Sequence, residues 1–113
     1  MAAIANLSID QGASFSSDVT VKDANNNAFN LTGYTAAAKM AKGYASTRTR
    51  TTITATISGD PTTGIVTLSM TAADTASLDA ERYVYDLEIT QTSTGTVTRV
   101  IEGIISVRPQ VTT

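Results

Sequence analysis

The chain has 113 residues, of which 42% are hydrophobic, 16% charged and 5% aromatic, with a formal net charge of −2. This length suits one domain with a single two-layer core, while eight scattered basic residues and no Trp give neither the charged stripe nor the stacking platforms of a nucleic-acid binder. Cys and His are both absent, which removes disulfides, thiol sites and the commonest bases, nucleophiles and metal ligands.

Alternation of period two, not a helical stripe, organises the chain. Met1 to Leu7 lacks the basic and apolar regions of a signal peptide, and every apolar run falls short of a membrane span. Leu7 and Ile9 flank Ser8 in a strand that ends at Asp10-Gln11-Gly12. Phe15, Val19 and Val21 then share a face opposite Ser16, Asp18, Thr20 and Lys22. The segment from Asp23 to Asn27 reads as a turn, because Asn tolerates the left-handed region and closes Asx turns.

Tyr34, Ala36, Ala38 and Met40 form the next face. Ala36 to Ala41 has helical propensity but no amphipathic stripe to bury, so strand is preferred over helix. Gly43 to Arg48 reads as a connecting loop. Ile53, Ala55 and Ile57 alternate with threonines until Ser58-Gly59-Asp60-Pro61 stops the strand, and Gly64 opens another with Val66, Leu68 and Met70 on one face. Thr71 can cap a single helical turn, with Asp74 three residues on. Tyr83, Tyr85, Leu87 and Ile89 oppose Val84, Asp86 and Glu88 in the next strand. In the last strand Val97, Ile101, Ile105 and Val107 share one parity, and Gly103 between them is a candidate bulge.

Such spacing of short strands and turns predicts an all-β fold, an immunoglobulin-like antiparallel β-sandwich of seven to eight strands with one short helical turn, spanning residues 1–113 as one domain. Asp79 followed by Tyr83 matches the tyrosine corner of such sandwiches, with Tyr85 in the place of the core cysteine; a plain half-buried aromatic strand fits the same residues. Ala3 to Ile9 and Val107 to Thr113 carry no charge except Arg108. They read either as edge strands open to partners or as segments that close the sandwich.

No constellation points to catalysis. Asp86 and Glu88 lie on one polar strand face, and Glu102 lies opposite the core parity of its strand, which reads as solvated surface and not as an acid–base pair. Asp23, Asn25 and Asn27 match the opening of a calcium loop, but Ala28 replaces the turn glycine and Tyr34 the bidentate glutamate. Asn30-Leu31-Thr32 fits a glycosylation sequon, and no phosphate-cradling glycine loop exists. The expectation is therefore no enzyme, no cofactor and no metal. The candidate contact loop contains Tyr44, Arg48 and Arg50, and Tyr44 beside polar residues also admits a sugar-binding reading.

Four phrases carry a resemblance: Ile9-Asp10-Gln11-Gly12-Ala13-Ser14-Phe15, Phe29-Asn30-Leu31-Thr32-Gly33-Tyr34, Arg82-Tyr83-Val84-Tyr85-Asp86-Leu87-Glu88-Ile89 and Arg99-Val100-Ile101-Glu102-Gly103-Ile104-Ile105-Ser106-Val107. Together they resemble the small virion structural proteins of tailed, cyanobacterial-type phages. They also resemble the N-terminal β-sandwich module of phage baseplate and tail-fibre proteins, across residues 9–109. The resemblance implies a non-enzymatic virion protein that contacts itself and other virion proteins, major capsid or tail, with no nucleic acid or membrane partner. Capsid decoration or cement is the leading expectation. A tail, neck or baseplate component or fibre adaptor is the alternative, and a host-glycan-binding module the second.

Overall fold

The computed structural model describes residues 3–45 and 49–112. Eight strands follow in order: β1 Ala3–Ile4, β2 Leu7–Asp10, β3 Phe15–Thr20, β4 Tyr34–Ala41, β5 Thr51–Ile57, β6 Ile65–Met70, β7 Arg82–Gln91 and β8 Val97–Arg108. One short helix, α1 Ala72–Ala76, lies between β6 and β7, and a 3-10 turn, Pro61–Thr63, precedes β6. The Ala-rich segment is a strand, as its lack of a helical stripe implies.

The strands follow one curled path, β1-β8-β7-β4-β5-β6-β3, with β2 also on β8. The corner lies within β5. Its first half, from Thr51 to Ile53, pairs with β4, and its second half, from Thr54 to Ile57, pairs with β6. A strand that changes partners midway turns one ribbon into two facing layers. One layer holds β1 and β2, β8, β7 and β4; the other holds β6 and β3. The core between them joins Val19, Val66 and Leu68 of one layer to Ile9, Tyr85, Leu87, Ile101 and Ile105 of the other.

Pairing is not wholly antiparallel. Both β1 and β2 run parallel to β8, in continuous register from Ala3↔Ile101 to Asp10↔Arg108. Parallel neighbours need a long crossover, and here the intervening domain supplies it.

The bulge of β8 is not at Gly103. Leu87 faces Ile101 while Glu88 faces Arg99, so Val100 is the extra residue. Without it, strict alternation would aim Arg99 at the core beside Ile89, and an unpaired buried charge is costly. The shift reverses parity upstream, so Val97 leaves the core face on which alternation placed it and is 56% exposed.

Local chemistry builds the connections. Thr71 Oγ1 accepts the Asp74 N–H and caps α1. Asp60 Oδ1 accepts the N–H and hydroxyl of Thr62, closing the 3-10 turn and holding the Asp60 carboxyl below its usual range. Asp23 Oδ1 accepts the N–H groups of Asn25 and Asn27, with Asn26 at φ 64°. The calcium-like segment is thus a turn stapled by its own aspartate.

Candidate interaction surface

Of the contact-loop residues, Arg48 lies outside the described residues. Tyr44 is 64% exposed. Arg50 donates to the Ala45 carbonyl at 3.1 Å and to the Tyr44 carbonyl at 3.2 Å, so its guanidinium holds the shape of the loop. The loop folds over the outer face of β4 and β7, where Ala41, Val84 and Asp86 line a small cleft of about 60 Å³ with Tyr44 and Arg50. This cover explains why Ala41, on the outward parity of β4, is buried.

Two of the three carboxylates on β7 and β8, Asp86 and Glu102, are engaged by charge. Arg99 reaches Asp86 at 3.3 Å and Glu102 at 3.3 Å, a pairing that the β8 bulge makes possible. Lys42 pairs with both Asp79 and Glu81, and their hydrogen bonds raise its pKa above the usual lysine value. Among the described residues no group of three or more His, Cys, Asp or Glu could hold a metal ion, and no helix is long and apolar enough to cross a membrane.

Two buried hydroxyls shape the surface from below. Tyr83 Oη accepts the Asp79 N–H at 2.9 Å and faces the Asp79 carbonyl at 3.2 Å, which is the tyrosine corner that its spacing indicated. Tyr85, one pleat further into the core, donates to the Ala5 carbonyl. Gly103 is the cross-strand partner of Tyr85, and a Cβ there would press on that same carbonyl, 2.9 Å from its carbon. The Asn6 side chain completes the lock by accepting the Ile104 N–H at 3.0 Å. The chain's start is therefore pinned to β8 where the β1–β2 pairing is interrupted.

At the α1 end, the turn after β2 is recognised by side chains. Thr75 is fully buried; its hydroxyl accepts the Gly12 N–H at 3.1 Å and donates to the Ala13 carbonyl at 2.8 Å. Gln11 donates to the Leu78 carbonyl at 2.7 Å and accepts the Gln110 N–H at 3.0 Å. Gly12, at φ 82°, leaves its Cβ space to the Gln110 side chain. Its neighbour Val111 is 96% exposed.

Among the described residues β3 pairs only with β6, and β1 and β2 only with β8, so each layer has an open edge. The N-terminal segment belongs to the sheet and also forms its border, which unites the two sequence readings. A groove of about 600 Å³ separates the edges, with Ile4, Leu7, Val19 and Val100 as apolar lining and Asp18 and Asp23 at its rim. Alternation patterns do not disclose this groove, because it depends on which strands fail to pair.

No family model and no curated protein matches the sequence. Among solved structures, the N-terminal domain of phage TP901-1 ORF48 matches with a TM-score of 0.56 at 12% identity, covering 92% of this chain and 85% of that one. The Lin-41 filamin domain matches with a TM-score of 0.47 at 18% identity, covering 89% and 82%. The chain has a mostly β fold of eight strands in a curled mixed sheet among the described residues, and it shares that fold with a domain of a phage protein.

Proposed function

We propose that this chain is a non-catalytic structural module of a phage virion, working through protein–protein contacts in the tail or baseplate and not as a capsid decoration. The observation that carries this reading is the likeness, over nearly the full chain, to the N-terminal domain of a phage protein. A fold that serves there as one domain of a named phage protein favours an adaptor or tail component over the capsid-cement role. The ion-paired state of Asp86 and Glu102 supports a role without catalysis. Virion partners, tail proteins first, would meet the exposed Tyr44 loop or the open sheet edges.

Quantitative mass spectrometry of purified particles tests the assignment. Copies far fewer than those of the major capsid protein, and retained in isolated tails, are expected. A count that scales with the capsid lattice would restore the decoration role. Absence from particles would overturn the virion reading altogether.

A further inference from the structure

We propose that the peptide bond between Asp60 and Pro61 is a latent self-cleavage site, masked while the β5–β6 turn is closed and cut in acid once that turn opens. It is the one Asp–Pro bond in the chain, since Pro109 follows Arg108. The two residues carry the chemistry between them. The Asp60 carboxyl attacks its own carbonyl carbon to form a five-membered anhydride, and the tertiary amide nitrogen of proline is a better leaving group than an ordinary amide nitrogen. The bond from that carbon to the Pro61 nitrogen breaks, and the proton of the attacking carboxyl passes to the nitrogen. Water then opens the anhydride, leaving two carboxyl groups on Asp60 and a free secondary amine on Pro61.

Six hydrogen bonds close the turn around this one peptide bond. Thr62 gives Asp60 Oδ1 its N–H at 3.1 Å and its hydroxyl at 2.6 Å. The Asp60 carbonyl accepts the Thr63 hydroxyl at 2.8 Å and the Thr63 N–H at 3.2 Å. The Pro61 carbonyl accepts the N–H groups of Leu31 at 2.9 Å and Gly64 at 3.3 Å. The carboxyl must leave Thr62 before it can swing onto its own carbonyl carbon, and the proline cannot depart while Leu31, buried in the core, holds it. The Thr62 donors also keep the Asp60 carboxyl ionised below its usual range, so it lacks the proton that the leaving nitrogen needs.

Asp60 and Thr62 are exposed, so the mask is made of hydrogen bonds and not of burial. It can open locally, without unfolding the sheets. A cut falls between two strands that stay paired from Thr54↔Ser69 to Ile57↔Val66, so the halves 1–60 and 61–113 remain associated. What the cut releases is the link between β6 and β5, the strand that carries the corner between the layers. This inference does not depend on the virion reading, since the purified chain alone tests it.

Denaturing intact-mass spectrometry follows the appearance of 1–60 and 61–113 at about pH 4, near the ordinary carboxylate range, in buffer and in guanidinium chloride. Circular dichroism verifies that the chain in buffer is folded; where it is not, the comparison moves to about pH 5 with a longer incubation. The unfolded chain is expected to be cut at this bond, and the folded chain at least about tenfold more slowly, because cleavage awaits local opening. Thr62→Val combined with Thr63→Val removes both hydroxyl donors. It is expected to speed the cut of the folded chain several-fold and to leave the unfolded rate unchanged. Thr62→Ser combined with Thr63→Ser keeps the donors and is expected to match the wild type, and Asp60→Asn is expected to stop the cut in both states. Equal rates for the folded and unfolded wild type, a folded valine variant no faster than the serine variant, or a cut that survives Asp60→Asn would each overturn the proposal.

Discussion

The hydroxyl of Tyr85 donates its hydrogen to the carbonyl of Ala5, 80 residues away, through space that Gly103 leaves empty. A donor from β7, an acceptor from the link between β1 and β2, and a missing side chain on β8 make one lock. It holds the first strand against the last, and its parts can be removed singly.

Tyr85→Phe deletes the donor and leaves a half-buried carbonyl without its partner, which costs about 1 kcal/mol. Denaturant unfolding should show a lower midpoint with an unchanged slope. Hydrogen exchange should rise first at Ala5, whose N–H donates to Glu102. An unchanged midpoint would mean that the hydroxyl contact contributes nothing net.

Gly103→Ala tests the space. The new methyl meets the Ala5 backbone and not a flexible side chain, so β1 must shift or detach. Overpacking of this kind costs about 1–3 kcal/mol. Faster exchange at Ala5 and Ile104, with β7 and β4 unaffected, is the expected pattern.

Burial pushes the Tyr85 pKa up to about 12 from an ordinary value of 10.0. Folding therefore favours the protonated phenol. Its contribution to stability is complete below about pH 10, where the unfolded chain also keeps the proton, and is lost as pH rises from about 10 to about 12. Spectrophotometric titration should show one of the four tyrosines ionising late, and Tyr85→Phe should remove that late step. Four tyrosines ionising together, with the fold intact, would contradict the burial.

Thr75→Val keeps the shape of the buried side chain but strands the Gly12 N–H and the Ala13 carbonyl. Loss of hydrogen bonding at such a site costs about 1–3 kcal/mol. The effect should concentrate at the α1 pole, read as faster exchange at Gly12 and Ala13.

Tyr44→Ala should change stability by no more than about 0.5 kcal/mol, as expected of an exposed side chain away from caps and core. Arg50→Ala removes the donor that holds the Tyr44 and Ala45 carbonyls, so limited proteolysis should cut this loop faster. If the loop contacts a virion partner, both substitutions reduce incorporation into particles, and only Arg50→Ala changes the loop's protease sensitivity.

Much of the fold is legible in the chain. Period-two alternation locates the strands, since one face of each must be apolar to enter the core. Asn-rich and Gly-Asp-Pro turns locate their ends and Thr71 announces α1, whereas the spacing of Asp79 and Tyr83 fits a tyrosine corner and a plain aromatic strand alike, and the hydrogen bonds between them decide. The 3-10 turn escapes because Pro61 reads equally well as a simple strand stop.

Sequence alone determined the local states: which residues face inward in every strand but the start of β8, where the chain turns, and that no His or Cys chemistry is available. Tertiary structure decided the partners. Whether β1 and β2 join β8 in parallel, where β5 changes layers, and that Gly103 makes room while Val100 bulges, all depend on the register between strands far apart in the chain. One residue of slip reverses every side chain beyond it, so alternation read within a single strand could not place Val97 and Arg99. The open edges of β1 and β3 lie furthest from the sequence, because a groove is formed by pairings that the rest of the fold leaves unmade.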